Sequence, residues 1–303
     1  MDDFQKEKNF ISVVVYLHNN EKQVQDFFQN VQGEFDRIFE NYEFIVVDDA
    51  CSDGSVQKLK ECAKELEKPL TILHMGLYHC REDAMSAGID QAIGDFIYEF
   101  NSMQTPYDMK LIMEAYQSIL AGNDIVCVCP SHVRRSSNLF YKVFNANSNA
   151  NYKLQIDVFR VVTRRAINRV HASNSYILYR KAAYVASGLR ISSIMFDGRV
   201  LNDEKAKLSF AIDSLALYTN AGYRVSIGIT LLMLLVAFSE LIYTIIIYCV
   251  GKPVAGWTTT MMVMSFGFLG LFFILSIAIK FMSLNLDMIF RKQKYLIESI
   301  EKL

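Results

Sequence analysis

Apolar residues along this chain fall into two textures. From residue 10 to about 130, short apolar runs alternate with stretches of helical spacing. The runs at 10–17, 44–47, 70–73, 96–100 and 124–129 are rich in Val, Ile, Leu and Phe and read as buried strands. Between the first two, Val24, Phe27, Phe28, Val31, Phe35 and Ile38 fall on one face of a helix over 22–39. Segments 56–66, 82–93 and 107–120 read as further helices, with Asp53 or Ser55 standing where an N-cap belongs. Ala84, Ala87 and Gly88 put small residues on one side of the 82–93 helix, so it can lie close to a sheet or ligand. This alternation predicts an α/β fold: a mostly parallel sheet with helices on both faces. Over 131–203 the pattern weakens, leaving a short strand at 176–179 that leads into a helix at 180–186.

The second texture is continuous. Residues 225–250 are apolar apart from Glu240, and after a short loop a second run covers 257–280. Each reaches the roughly 20 residues needed to cross a hydrocarbon core. Arg224 precedes the first run and Arg291, Lys292 and Lys294 follow the second, while Lys252 alone charges the loop. The positive-inside rule puts both ends in the cytoplasm. Tyr248 and Trp257 stand where interfacial aromatics belong. The expected organisation is therefore a cytoplasmic domain over 1–204, an amphipathic juxtamembrane helix over 205–224, transmembrane helices over 225–250 and 257–280, and a cytoplasmic C-terminal helix over 281–303. That is a multi-pass protein of the cell membrane; a buried helical hairpin is the alternative. Glu240 in mid-span points to self-association or a partner membrane protein.

Composition narrows the function classes. With 31 basic and 32 acidic residues the net charge is −1, so no global field favours nucleic acid. The six cysteines form no Cys-x-x-Cys pair and no zinc pattern, which fits a reducing compartment. Neither Gly-x-Gly-x-x-Gly after the first strand nor a Walker lysine motif occurs, which disfavours a dinucleotide site or P-loop.

The candidate chemistry centres on 44–55, Phe-Ile-Val-Val-Asp-Asp-Ala-Cys-Ser-Asp-Gly-Ser. A buried strand that stops at Asp48 and Asp49 delivers carboxylates to the carboxyl edge of a sheet, where α/β proteins place ligands. An exposed acidic turn is the plainer reading. A basic set, including Arg134, Arg135, Arg160, Arg164 and Arg165, is open to two readings. It serves a diphosphate or lipid headgroup, or it is a solvated helix face.

These motifs, in this order, resemble the family-2 glycosyltransferases of GT-A fold, specifically the membrane-anchored polyprenyl-phosphate branch related to dolichyl-phosphate mannose synthase. Ser-Val-Val-Val-Tyr-Leu-His-Asn-Asn-Glu at 12–21 stands where the family has a strand and Pro-x-Tyr-Asn-Glu. Val-Asp-Asp-Ala-Cys-Ser-Asp-Gly-Ser at 47–55 is similar to Val-Asp-Asp-Gly-Ser-x-Asp-Gly-Thr. Arg81 before the small-residue helix, and Gly94-Asp95 after it, complete the set, and the two terminal spans extend the likeness over nearly the whole chain. The resemblance implies a nucleotide-sugar donor, usually UDP-linked, and transfer to a polyprenyl phosphate or another membrane glycan acceptor. It implies that His18, Asn20, Asp48, Asp49 and Arg81 form the nucleotide site, and that such enzymes are often oligomeric.

The chain departs from the family after the fourth strand. There the family carries Asp-x-Asp, which holds Mg²⁺ or Mn²⁺ against the diphosphate. Here the stretch contains Asn101, Ser102, Met103 and Gln104, and neither alignment register restores a carboxylate. Tyr16 replaces the family's proline, and Tyr176-Ile-Leu lacks its arginine. Three explanations stand. Arg134, Arg135, Arg164 or Arg165 substitutes for the metal; Glu99 supplies one carboxylate; or the chain keeps the fold as a binding, scaffold or regulatory subunit of cell-surface polysaccharide synthesis. No metal ligand and no catalytic residue can be named from the sequence.

Overall fold

The five apolar runs become five strands running in one direction: β1 (Ile11–Leu17), β2 (Tyr42–Asp48), β3 (Leu70–Met75), β4 (Phe96–Phe100) and β5 (Ile125–His132). The structure, a computed structural model, describes residues 6–132, 141–142, 144–146, 152–173, 179–199 and 295–303, with isolated helical positions between 228 and 285. Two units divide the chain: residues 1–145, 150–206 and 291–303 form the first, and 146–149 with 207–290 form the second.

In the first unit the strands are linked by α1 (Glu21–Ile38), α2 (Ser55–Ala63), α3 (Arg81–Gln91) and α4 (Lys110–Leu120). Then come β6 (Phe159–Thr163), α5 (Arg164–Ser173), α6 (Arg180–Ala186), β7 (Ile191–Arg199) and β8 (Ile297–Lys302). The sheet order is β7-β5-β6-β4-β1-β2-β3-β8, with β6 and β8 antiparallel to their neighbours. The α/β expectation holds, and three strands join that the apolar pattern did not predict.

Strand alternation sorts the core. Val13, Val15, Phe44, Val46, Tyr98, Phe100, Val126 and Phe159 meet the apolar stripes of α1 and α4 on one face. The intervening residues face α3, which lies directly on β1 and β2. A Cβ on Gly88 would come within 2.5 Å of Val14 Cγ1 and 2.7 Å of Val47 Cγ2, so only glycine permits this approach.

The C-terminal end corrects one expectation. Residues 297–302 were expected within a helix over 281–303, but they pair antiparallel with β3. The open edge of β3 offers a row of unpaired backbone groups, and satisfying these outweighs the weak helical pattern of the segment. The amphipathic stretch 205–224, the expected spans over 225–250 and 257–280, and Glu240 lie outside the described residues, apart from isolated helical positions. No helix among the described residues is long and apolar enough to cross a membrane.

Candidate functional site

β1 and β2 end side by side, with Leu17 opposite Asp48. The loops beyond them are laced together. Ser52 N donates to Asn19 Oδ1 at 2.8 Å, Asn20 N donates to Ser55 Oγ at 2.8 Å, and Glu21 N donates to Asp53 Oδ2 at 3.3 Å. Gly54 lets these loops close up, since a Cβ there would sit 2.8 Å from Glu21 Cδ. The Asn20 amide is spent within its own loop, accepting from His18 N and donating to Gln23.

The two adjacent aspartates have different surroundings. Asp49 is 0% exposed and accepts from Tyr16 Oη (2.9 Å), His79 N (2.9 Å) and Cys80 N (3.3 Å). Three donors therefore satisfy a carboxylate that burial would otherwise penalise. This carboxylate ties β1 to the β3–α3 loop. The tyrosine standing in place of the family's proline supplies one of the donors. Asp48, 7% exposed, accepts from Cys51 N (2.9 Å) and lies 2.8 Å from His74 Nδ1, so it keeps unused acceptor capacity at the edge. His18 Nδ1 lies 2.7 Å from Asp49 O, and its ring meets that of Tyr78 at a centroid distance of 4.9 Å. Together they form an aromatic ledge against the backbone of Asp49.

β8 reaches this edge too. Its Glu301 pairs with Lys60 at 2.7 Å and lies 3.4 Å from His74 Nε2, while Leu296 N donates to His79 Nε2 at 2.9 Å. The end of the chain thus braces the histidines that flank Asp48 and Asp49.

At the end of β4 the side chains are arranged differently. Met103 is 2% exposed and belongs to the hydrophobic core, and Ser102 Oγ accepts from Gln104 N. Asn101 Oδ1 accepts from Arg180 Nη2 at 3.0 Å. A thioether in the core and an engaged amide do not make the oxygen set that Mg²⁺ or Mn²⁺ requires. Among the described residues, no group of three or more His, Cys, Asp or Glu is placed to hold a metal ion.

Behind Asn101 lies a buried ionic cluster. Glu99 (0% exposed) lies 3.4 Å from Arg180 Nε and 3.7 Å from Arg160 Nε, and accepts from Tyr184 Oη at 2.6 Å. Asp157 binds Arg160 at 3.1 Å and Lys181 at 2.7 Å. Arg180 also reaches Glu82, at 2.6 Å to its carbonyl and 3.4 Å to its carboxylate. Burial alone would raise the Glu82 carboxyl, but Arg180 and then Arg160 outweigh it and hold it below the ordinary carboxylate range. Asp157 is depressed against its burial in the same way, by Arg160 and Lys181.

The sequence did not announce Glu82, Asp157, Arg180 or Lys181. The usable signal was α6 itself. An Arg-Lys pair opens a short helix whose following residues are apolar all round, so its charges enter the interior and need partners.

The remaining expected residues are dispersed. Arg81 opens α3 near Asp49's donors and, among the described residues, makes no ion pair or side-chain hydrogen bond. Arg164 and Arg165 lie at the opposite edge of the sheet, because β6 runs antiparallel and pairs Thr163 with Phe96. Arg164 donates to the carbonyls of Ala92 and Gly94, and Arg165 pairs with Asp124. Neither therefore substitutes for a metal at the carboxyl edge. Arg134 and Arg135 lie outside the described residues.

Known proteins match this arrangement. An uncharacterized glycosyltransferase of Synechocystis sp. is 24% identical over 199 residues, covering 62% of this chain and 60% of its own length. An undecaprenyl-phosphate 4-deoxy-4-formamido-L-arabinose transferase of Pectobacterium atrosepticum is 25% identical over 179 residues, covering 55% of this chain and 54% of its own. The match thus spans little more than half the length of these curated relatives. Among solved structures, a mannosyltransferase from Pyrobaculum calidifontis in complex with GDP-Man and Mn²⁺ superposes with a TM-score of 0.51 at 11% identity, covering 95% of this chain and 89% of that one. This likeness shows a shared GT-A fold. The profile of Glycosyl transferase family 2 matches residues 12–186, more than half of the chain and every element from β1 to α6, and the chain belongs to that family.

Proposed function

We propose that this protein moves a sugar from a nucleoside-diphosphate donor, UDP-linked by the family resemblance, to a polyprenyl phosphate at the membrane. The observation that carries the reading is Asp48. It is a carboxylate with unused acceptor capacity at the carboxyl edge, at a strand end whose neighbouring loops carry the His18–Tyr78 ledge. The base and ribose of the donor lie against this ledge, with Asp48 accepting from them, and Arg81 faces the diphosphate.

The acceptor follows from what the β4 edge lacks. A sugar hydroxyl needs a general base to take its proton in the transition state. A phosphate monoester, with its second pKa near about 6, arrives already anionic at neutral pH. Its oxygen attacks the anomeric carbon, the bond from that carbon to the donor diphosphate breaks, and the nucleoside diphosphate leaves with the electron pair. A β4 edge where, among the described residues, the carboxylates are engaged by cations suits the phosphate acceptor better. The transferase from P. atrosepticum, whose name specifies undecaprenyl phosphate, agrees with this reading.

The apolar runs over 225–250 and 257–280 anchor the domain to the cell membrane on its cytoplasmic side, where such a lipid presents its phosphate. Leu232, Leu271, Leu275 and Met282, all helical, are exposed large apolar side chains of the kind a lipid-facing surface carries. Self-association or a partner membrane protein through Glu240 belongs to the same proposal.

The test is calorimetric titration of the detergent-purified chain with UDP, GDP and their common sugars. Binding in the wild type, weakened at least tenfold in Asp48→Asn, supports the reading. Absence of binding sinks it. A second reading, a non-catalytic binding or scaffold subunit, is favoured by the engaged Asn101 and buried Met103. Nucleotide binding without sugar transfer to polyprenyl phosphate would select that one.

A further inference from the structure

Four oxygens converge on the Arg180 guanidinium at the end of β4: Glu99 Oε2 at 3.4 Å from Nε, Glu82 O at 2.6 Å and Glu82 Oε2 at 3.4 Å from Nη1, and Asn101 Oδ1 at 3.0 Å from Nη2. Two carboxylates, one carbonyl and one amide are hard donors, the set a divalent cation takes. Here a guanidinium fills the space between them. The surrounding cluster is also balanced: Glu82, Glu99 and Asp157 face Arg160, Arg180 and Lys181. A divalent ion added to this neutral group would leave two uncompensated positive charges in a buried place, which is strongly unfavourable.

We propose that Arg180 is a built-in cation occupying the place of the divalent ion at the β4 edge, so that this chain binds its nucleotide without a metal. The inference rests on the proposed donor site but is tested separately from it. Arg180 is 2% exposed and its donors are taken, so it does not reach the donor molecule. It is a positioning residue. It fixes Asn101, and through Glu82 it holds the first turn of α3, which begins at Arg81 directly after Cys80, a donor to Asp49. Arg180 comes from a helix some 80 residues beyond β4 in sequence, so the positive charge among these oxygens is part of the chain.

The proposal makes a prediction of gain. In Arg180→Gln the guanidinium is gone and the cluster carries a net charge of −1, with the oxygens left facing one another. This variant should acquire an Mn²⁺ site that the wild type lacks. The readout is the free-Mn²⁺ electron paramagnetic resonance signal, recorded with full-length protein in detergent and no nucleotide. We expect the wild type and Arg180→Lys to leave the signal unchanged, and Arg180→Gln to sequester Mn²⁺ at least tenfold more tightly than either. A folded Arg180→Gln that takes up no Mn²⁺ overturns the proposal.

Should Arg180→Gln fail to fold, the wild type decides alone, measured with and without UDP. Sequestration of one Mn²⁺ per chain in either state, beyond the uptake of a protein-free sample with the same UDP, overturns the proposal, and a signal equal to that of the protein-free sample in both supports it. Because the apo measurement involves no nucleotide, failure of UDP to bind would remove the proposed donor site and leave this test intact.

Discussion

At the β1–β2 half of the carboxyl edge, Asp49 is enclosed by neutral donors: a tyrosine hydroxyl and two backbone N–H groups. At the β4–β6 half, Glu99 is enclosed by two guanidiniums and a tyrosine hydroxyl. Both carboxylates are fully buried, but removing their partners has different consequences. A lost neutral donor leaves a carboxylate with fewer hydrogen bonds and no change in charge balance. A lost guanidinium leaves uncompensated negative charge in the interior. The first half ties the β3–α3 loop to β1 through neutral hydrogen bonds, whereas the second is an electrostatic keystone.

The largest effect that separates the two halves is expected from Arg160→Met. It leaves Asp157 with Lys181 as its one remaining ion-pair partner and Glu99 with one guanidinium in place of two, and breaking such a buried pair costs about 3–5 kcal/mol. Urea denaturation followed by circular dichroism should show the drop in midpoint. A loss below about 1 kcal/mol would mean that the cluster relaxes or hydrates, and the contrast between the halves would collapse. A smaller loss, about 1–3 kcal/mol, is expected from Tyr16→Phe, which removes one of Asp49's donors while the two backbone donors remain. If Tyr16→Phe costs as much as Arg160→Met, the neutral cage is as critical as the ionic one.

The contrast also explains what could be read before the fold was known. The β1–β2 half is built locally. The apolar run of β2 is continuous with Asp48 and Asp49, and the turn residues that shape its loop follow within six positions. The ionic half is assembled from residues 82, 99, 157, 160, 180 and 181, no two of which form a recognisable motif. Arg160 looked like one more member of a basic surface stretch. Only the antiparallel pairing of β6 beside β4, which sets Arg160 opposite Glu99, turns it inward. β8 was misread for a related reason. The segment at 297–302 has no strong period of its own, and its strand state is dictated by the unpaired edge of β3, more than 220 residues earlier.

The smallest expected effect bears on the locally built half. Ala50, directly after Asp49, has φ 53°, in the left-handed region. The resembling family motif carries glycine at this place. An L-residue there costs about 1–2 kcal/mol relative to the right-handed conformation, because Cβ crowds the following carbonyl. Replacing it with glycine removes that strain but gives the unfolded chain more freedom, which returns about 0.5–1 kcal/mol. Ala50→Gly should therefore stabilise the protein by up to about 1.5 kcal/mol, read as a rise in thermal midpoint. A variant that melts lower would mean that the alanine methyl makes packing contacts worth more than the strain it imposes. The turn after Asp49 would then be held in place by its contacts, as the ionic half is, and the two halves would differ only in the charge of the groups that hold them.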